Sequence, residues 1–241
     1  MLPHQPLPLK PVSPEPAQPI ALRALLDAGA RRLALALTPV QTDQCLDYLA
    51  LINKWNKVHN LTAIHNPQAM LTHHLLDCLA VVNPLLQRLG TGPLRVLDVG
   101  AGAGLPGVVL AITCPQLKVI CVDAVAKKAA FVQQAAATLG LPNLSGTHAR
   151  VEQWRGAPVD VVTSRAFASL ADMTRLTAFH VKPPDAGHPA GGYWLAMKGR
   201  QPDDEIAALP ANVRLLAIEK IQVPDLTAER CIVWLKPQRV T

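Results

Sequence analysis

The chain has 241 residues, which suits one α/β domain with a small appendage, and half of them are hydrophobic, enough for a large core. The formal net charge of +6 favours an anionic partner, although plain solubility accounts for the same excess. Cys45, Cys78, Cys114, Cys121 and Cys231 are scattered with no C-x-x-C pair, which argues against a disulfide framework or zinc site and for reduced thiols in a cytoplasmic protein. No uninterrupted apolar run reaches the roughly 18 residues that span a bilayer.

Residues 1–19 carry Pro3, Pro6, Pro8, Pro11, Pro14, Pro16 and Pro19 and read as a disordered or polyproline-like tail, not a signal peptide. A helical layer is expected over 20–92 and an α/β core over 93–241. The first helix spans 20–37, with Gly29 weakening its middle. Thr38, Pro39 and Gln41 then form a capping-box signature for a helix running toward Val58. Cys45, Tyr48, Leu49, Ile52 and Trp55 make its apolar stripe, while Lys54 and Lys57 lie off it, available to solvent or phosphate. After the polar turn Asn60-Leu61-Thr62, a third helix starts beyond Pro67 and runs toward Leu89. His74 and Asp77, three apart, share a face and are expected to pair. His73 and His74 point to different faces, a poor metal site; His74 is either an ordinary surface histidine or an RNA or cofactor contact.

The chemistry concentrates where the apolar run Arg95-Val96-Leu97-Asp98-Val99 meets Gly100, Gly102, Gly104 and Gly107, followed by an apolar segment to Thr113. This reads as strand, tight turn and helix, the unit that presents backbone N–H groups to a ligand. A second apolar run ends in Asp123, about 20 residues on, where a carboxylate accepts the hydroxyls of a ribose. Gly102, Gly104 and Gly107 fit the dinucleotide fingerprint, so a nicotinamide cofactor stays open. Asp98 argues the other way: an acid behind the turn repels a pyrophosphate but suits the sulfonium and ammonium of S-adenosylmethionine. The bland reading is that Asp98 only hydrogen-bonds the glycine loop.

Downstream, a helix over 124–139 opens with Lys127 and Lys128, cations that oppose the helix dipole and so suggest phosphate binding. A third strand over 143–148 leads to Val151 and Glu152, placed to pack on an adenine ring and read its edge. The fourth strand, 159–163, ends in Ser164-Arg165-Ala166-Phe167-Ala168; there Arg165 contacts cofactor or phosphate, and Phe167 is core or a base-stacking ring. A helix over 169–179, a loop over 182–192, a fifth strand over 193–197 ending in Lys198-Gly199-Arg200, and a short helix over 203–209 follow. Strands at 213–222 and 230–235 form an antiparallel closing pair.

Taken together, Trp55-Asn56-Lys57, Asn60-Leu61-Thr62, His74 with Asp77, Asp98-Val99-Gly100 through Leu105-Pro106-Gly107, Asp123 with Lys127-Lys128, Arg150-Val151-Glu152, Ser164 to Ala168 and Lys198-Gly199 resemble the bacterial 16S rRNA guanine-N7 methyltransferases, the RsmG or GidB family. The resemblance covers 47–236. It departs at Cys78, Ala101 and Ala124, rim positions where the family often has Ser, Thr or Ser, and Ser. It implies a Rossmann-like class I methyltransferase fold: α/β, a seven-stranded mostly parallel sheet with an N-terminal helical layer. S-adenosylmethionine is the implied cofactor, held by Gly100, Leu105, Val151, Glu152 and Arg165; the residues themselves add Asp98, Gly102 and Asp123. The implied target is guanine 527 (16S numbering) in 16S rRNA, the small ribosomal subunit or its assembly intermediate, with Lys127, Lys128, Arg165, Lys198 and His74 as RNA contacts. Guanine N7 carries a lone pair and no proton, so neither an obligatory acid/base pair nor a metal is expected, and the enzyme is expected to act as a cytoplasmic monomer without a membrane partner. Two rivals stand beside this: an NAD(P)-dependent oxidoreductase, and a non-catalytic RNA-binding ribosome-assembly factor.

Overall fold

The computed structural model describes residues 17–184 and 191–238. Most of the proline-rich tail and the centre of the loop at 182–192 lie outside the described residues.

Apolar, β-branched runs set the sheet. Five strands are parallel, β1 (Arg95–Val99), β2 (Lys118–Asp123), β3 (Leu144–His148), β4 (Val161–Arg165) and β5 (Tyr193–Lys198), and β6 (Val213–Ile221) and β7 (Arg230–Pro237) are antiparallel. The order is β3-β2-β1-β4-β5-β7-β6. β1, β2 and β4 are buried along nearly their whole length because helices cover both faces. Strand order reverses between β1 and β4, and a crevice forms there beyond the carboxyl ends of the strands. Because β7 inserts between β5 and β6 and runs antiparallel, its first residues reach the same edge; Cys231 is in register with Lys198.

One sheet face packs against the helical layer and against α6 (Gly107–Thr113) and α7 (Ala126–Thr138), with Tyr48, Ile52, Leu75, Val109 and Phe131 in its core. The other packs Leu97, Val99, Val162 and Trp194 against α8 (Leu170–Thr177), with part of α9 (Asp203–Ala207) at its margin.

The helical layer departs from expectation in three places. Helix α1 is Ala17–Arg32, starting inside the stretch assigned to the tail. Pro19 falls in its first turn, where a missing N–H is tolerated. It ends before 37 because Ala34 takes a left-handed φ of 54° and Asn83 Nδ2 donates to the carbonyl of Leu33 at 2.8 Å. The third expected helix is segmented into α3 (Pro67–Met70), a π-helical turn Leu71–Leu76, α4 (Asp77–Leu79) and α5 (Val82–Leu89). Pro84 has no N–H to offer the preceding turn, so the helix breaks at Ala80 and restarts with proline in its first turn. The run Pro67–Leu89 is long and apolar enough to cross a membrane by composition, yet 67% of its most apolar window is buried inside the fold.

Helix α2 (Pro39–His59) starts on the expected capping box: Gln41 N donates to Thr38 Oγ1 at 3.2 Å, and Thr38 N donates to Gln41 Oε1 at 3.0 Å. Gln41 Nε2 also donates to the carbonyls of Ile112 and Thr113 at the end of α6, so the cap ties the layer to the core. Thr38→Ala is expected to cost about 1 kcal/mol and to lower the melting temperature by about 2–4 °C, whereas Thr38→Ser holds it; a thermal melt with an unchanged midpoint for the alanine variant would contradict this role.

Candidate active site

The site begins at the turn between β1 and α6. Gly100 and Gly102 hold left-handed φ angles of 64° and 60°. A Cβ on Gly100 would lie 2.4 Å from the Phe167 ring, so Phe167 covers that glycine from the β4 side. At Gly102 a Cβ would meet nothing nearer than 3.9 Å, and this open side faces a cleft. The cleft has a volume of about 520 Å³; Gly100 to Ala103 and Leu105 form one wall, Leu61, Thr62, His74 and Asp77 the helical side, and Arg165, Ala166, Met197 to Gly199 and Arg230 the rest. That volume lies in the range of small-molecule sites.

Three groups fasten the turn. Gly102 N donates to Asp123 Oδ2 at 2.9 Å, Gly107 N donates to Asp98 Oδ2 at 2.8 Å, and the Tyr48 hydroxyl donates to the carbonyl of Ala103. Asp123 Oδ1 also accepts from Val125 N at 2.8 Å. Each carboxylate oxygen keeps a second lone pair, so Asp123 can still accept a ribose hydroxyl. Asp98 is fully buried beneath the turn and does not line the cleft. Its Oδ1 has no hydrogen-bond partner, and burial pushes its carboxyl up to about 7 against the pull of the Gly107 N–H and Arg165. Thus the bland reading of Asp98, a clamp on the loop, accounts for the contact it makes.

On the opposite wall a buried carboxylate lies between two guanidiniums. Asp77 Oδ2 accepts from Arg165 Nη1 at 3.0 Å, and Asp77 Oδ1 accepts from Arg230 Nε at 2.8 Å. Arg165 Nη1 also donates to the carbonyl of His73 at 2.8 Å. His74 Nδ1 faces Arg165 Nη2 at 3.5 Å, and its Nε2 lies 2.9 Å from Thr62 Oγ1. Arginine only donates, so Nδ1 accepts and Nε2–H donates to Thr62. Burial, followed by the Arg165 charge, lowers the His74 pKa to about 4. Thr62 N in turn donates to Asn56 Oδ1 at 2.9 Å, which fastens the Asn60-Leu61-Thr62 turn.

Several expected contacts are placed differently. His74 is buried and neutral, so it is neither a surface residue nor a cation for RNA phosphate; it bonds Thr62 and faces Arg165, not Asp77. Lys198 Nζ lies within 3.4 Å of three acceptors, Glu205 Oε1, Glu205 Oε2 and the carbonyl of Ala168, which occupy its three protons. Arg165 lines the cleft, but Nη1 is occupied by the helical layer. Val151 is buried in a short turn after β3 and Glu152 is exposed; neither lines the cleft, although Ala149 N donates to the Asp123 carbonyl and brings that turn beside Asp123. Lys127 is exposed and Lys128 half-buried in the first turn of α7. Arg230 was missed, because only the insertion of β7 beside β5 brings it to this edge. Among the described residues no three His, Cys, Asp or Glu side chains are grouped to hold a metal ion, and all five cysteines are buried and free.

A doubly wound sheet with a glycine turn after β1, an acid ending β2, a cleft at the switch point and an antiparallel β7 inserted between β5 and β6 has the Rossmann-like class I methyltransferase fold. Solved structures share this fold: magnesium protoporphyrin IX methyltransferase from Synechocystis PCC 6803 with bound S-adenosylmethionine (TM-score 0.55, 13% identity, 80% of this chain and 98% of that one), and TrmN from Thermus thermophilus (TM-score 0.52, 21% identity, 66% and 48%). The GidB family model, rRNA small subunit methyltransferase G, matches residues 41–233, and the chain belongs to this family. It is 56% identical over 225 residues to the ribosomal RNA small subunit methyltransferase G of Acidovorax ebreus (strain TPSY), covering 90% of this chain and 96% of that protein.

The open face of Gly102 and the cleft volume fit the cofactor, and Asp123, buried behind Gly102 and not itself lining the cleft, keeps lone pairs for a ribose hydroxyl. Asp77→Ala leaves two guanidiniums beside a vacated carboxylate site and is expected to cost about 3–5 kcal/mol, read by urea unfolding; a loss under about 1 kcal/mol would be typical of a surface pair instead. Asp98 gives a pH signature. Folding raises its carboxyl from 3.8 to about 7, so the folded chain keeps a proton that the unfolded chain releases between these values. The stabilisation from the neutral acid is complete below 3.8 and lost as pH rises toward 7. Asp98→Asn is therefore expected to gain stability relative to the unsubstituted protein over that interval; parallel stability–pH curves would refute it.

Proposed function

We propose that this protein transfers a methyl group from S-adenosylmethionine to N7 of guanine 527 (16S numbering) in small-subunit rRNA. The observation that carries this reading is the cleft formed by the open glycine turn and the Asp77–Arg165–Arg230 cluster, in a chain of this family. The relative in Acidovorax ebreus is named for ribosomal RNA of the small subunit, and that substrate is carried to this chain here. In this reading the enzyme works as a cytoplasmic monomer on the small subunit or an assembly intermediate.

Main-chain groups of Gly100, Gly102 and Leu105 would hold the cofactor, Asp123 its ribose, and Val151 with Glu152 its adenine. When bound, S-adenosylmethionine supplies a methyl group activated by its sulfonium. Guanine N7 presents a lone pair without a proton, so the chain has no proton to remove there. Its residues therefore act by orientation and water exclusion. Fastening the turn at Gly102 and Gly107 fixes one side of the cleft, and Asp77 fixes Arg165 and Arg230 on the other. Alkylation makes the purine ring more positive, so a carboxylate set between the two guanidiniums moderates a repulsion that bare arginines would impose.

The reading is tested by calorimetric titration with S-adenosylmethionine and by mapping 7-methylguanine in 16S rRNA after incubation with the enzyme. Binding and one methylated guanine at position 527 are expected, and Arg165→Ala is expected to reduce turnover on the order of 100-fold, as misplacement by about 1 Å does. Binding of NAD(P) in place of the methyl donor, or methylation of another base atom, would refute it.

A further inference from the structure

The two walls of the cleft differ in how their charges are matched, and the difference locates the RNA backbone. Helices α2 and α7 pack antiparallel: Gln44 Nε2 donates to the Leu139 carbonyl near one end, and Trp55 meets the Phe131 ring edge-on at 5.4 Å near the other. The last turn of α2 therefore lies beside the first turn of α7. Lys57 is two residues past Trp55, Lys54 one residue before it, and Lys127 and Lys128 one turn ahead of Phe131, about 5–6 Å along the axis. Leu61 and Thr62, which follow α2, line the cleft, and Asp123, which precedes α7, bonds Gly102 on its wall without lining it.

None of these four lysine side chains has an ion pair or hydrogen bond among the described residues. Lys54, Lys57 and Lys127 are exposed. Placing Lys127 and Lys128 in a first turn opposes the helix dipole, so the sequence keeps like charges where they are locally unfavourable. Across the cleft the cations that line it have carboxylate partners, Arg165 and Arg230 sharing Asp77, while Arg200 beyond the rim is exposed without an ion pair among the described residues. Lys198 is bonded to Glu205, Arg32 to Asp225 and Arg230 to Asp77, and Lys220 lines a neighbouring cavity together with Asp225 and Glu229.

We infer that the phosphate backbone of the rRNA docks across the lysine face formed by Lys54, Lys57, Lys127 and Lys128, entering the cleft from the α2–α7 side and not over the β5–β7 side. This rests on the rRNA methyltransferase reading above and adds the surface that receives the polyanion. Unmatched, mobile ammonium groups suit phosphates whose positions vary along a strand, and they carry no base information.

The test compares the quadruple variant Lys54→Ala/Lys57→Ala/Lys127→Ala/Lys128→Ala with a two-charge control, Arg31→Ala/Lys220→Ala, in methylation assays on protein-free 16S rRNA and on small subunits over a salt series. The quadruple variant is expected to raise KM at least tenfold and to reduce the log–log salt slope by about 3, near 0.7 per lost phosphate contact. Its kcat and its calorimetric affinity for S-adenosylmethionine are expected to stay unchanged, which shows that the chain is folded. The control is expected to leave KM and slope as they are. An unaltered slope in the quadruple variant, or a change confined to the control, would overturn the inference. So would a KM increase on assembled subunits with a normal slope on naked rRNA, which would put a ribosomal protein on this face. Failure of the methyltransferase reading is separate, since the unsubstituted enzyme would then neither bind the methyl donor nor methylate rRNA.

Discussion

Two carboxylate-to-amide hydrogen bonds hold the architecture of the site: Asp123 to Gly102 N and Asp98 to Gly107 N. A turn with Gly100 and Gly102 in left-handed conformations has little intrinsic preference for one shape, because glycine loses more backbone freedom on ordering than any other residue. Charge-assisted bonds to backbone N–H groups are among the stronger ones available to fix it. The sheet supplies both anchors. Parallel pairing of β1 with β2 puts Val99 in register with Val122, so the acid ending β2 arrives beside the turn that follows β1. Asp98 instead reaches forward under the turn to the first residue of α6, and it does so fully buried with one oxygen unpartnered. That arrangement holds the loop while placing a partly protonated acid below a site for a cationic ligand.

The helical layer is bound to the same edge by electrostatics as much as by packing. Asp77 joins Arg165 at the end of β4 to Arg230 at the start of β7, while Tyr48 bonds the Ala103 carbonyl and Gln41 bonds the end of α6. His74 sits within this cluster as a neutral spacer: it accepts from one cation and donates to Thr62, so it adds no charge of its own. The π-helical turn Leu71–Leu76 contains His74 and delivers Asp77 directly after it; such turns recur at functional sites. One wall of the cleft is thus preorganised by a carboxylate shared between two arginines, whereas the lysines at the facing ends of α2 and α7 have no such partner among the described residues.

What could be read from residues alone follows from how local each feature is. The capping box at Thr38, the buried strands ending at Val99 and Asp123, and the glycine turn depend on neighbours in sequence, so pattern reveals them. Apolar runs and the helices between them marked the individual strands, while the seven-stranded, mostly parallel sheet was implied by the resemblance carried in the order of the motifs. Pairings made across long separations were not legible. Lys198 read as a free cation because nothing marks Glu205 as its partner, and Arg230 was passed over because chain order does not say that β7 enters the sheet ahead of β6. Whether His74 is a surface residue or a site contact stayed open because helical periodicity alone does not register the π turn or the burial of both faces of that segment.

The central claim is that the turn from Gly100 to Gly107 receives a nucleoside bearing a positively charged methyl donor. A crystal structure after soaking with S-adenosylmethionine tests it most directly. Density is expected along the open side of Gly102, with ribose hydroxyls on Asp123 and the methyl group directed into the cleft walled by Arg165 and Arg230. An NAD(P) pyrophosphate bound at the turn in a parallel soak, or methyl-donor density settling only away from Gly102, would contradict it.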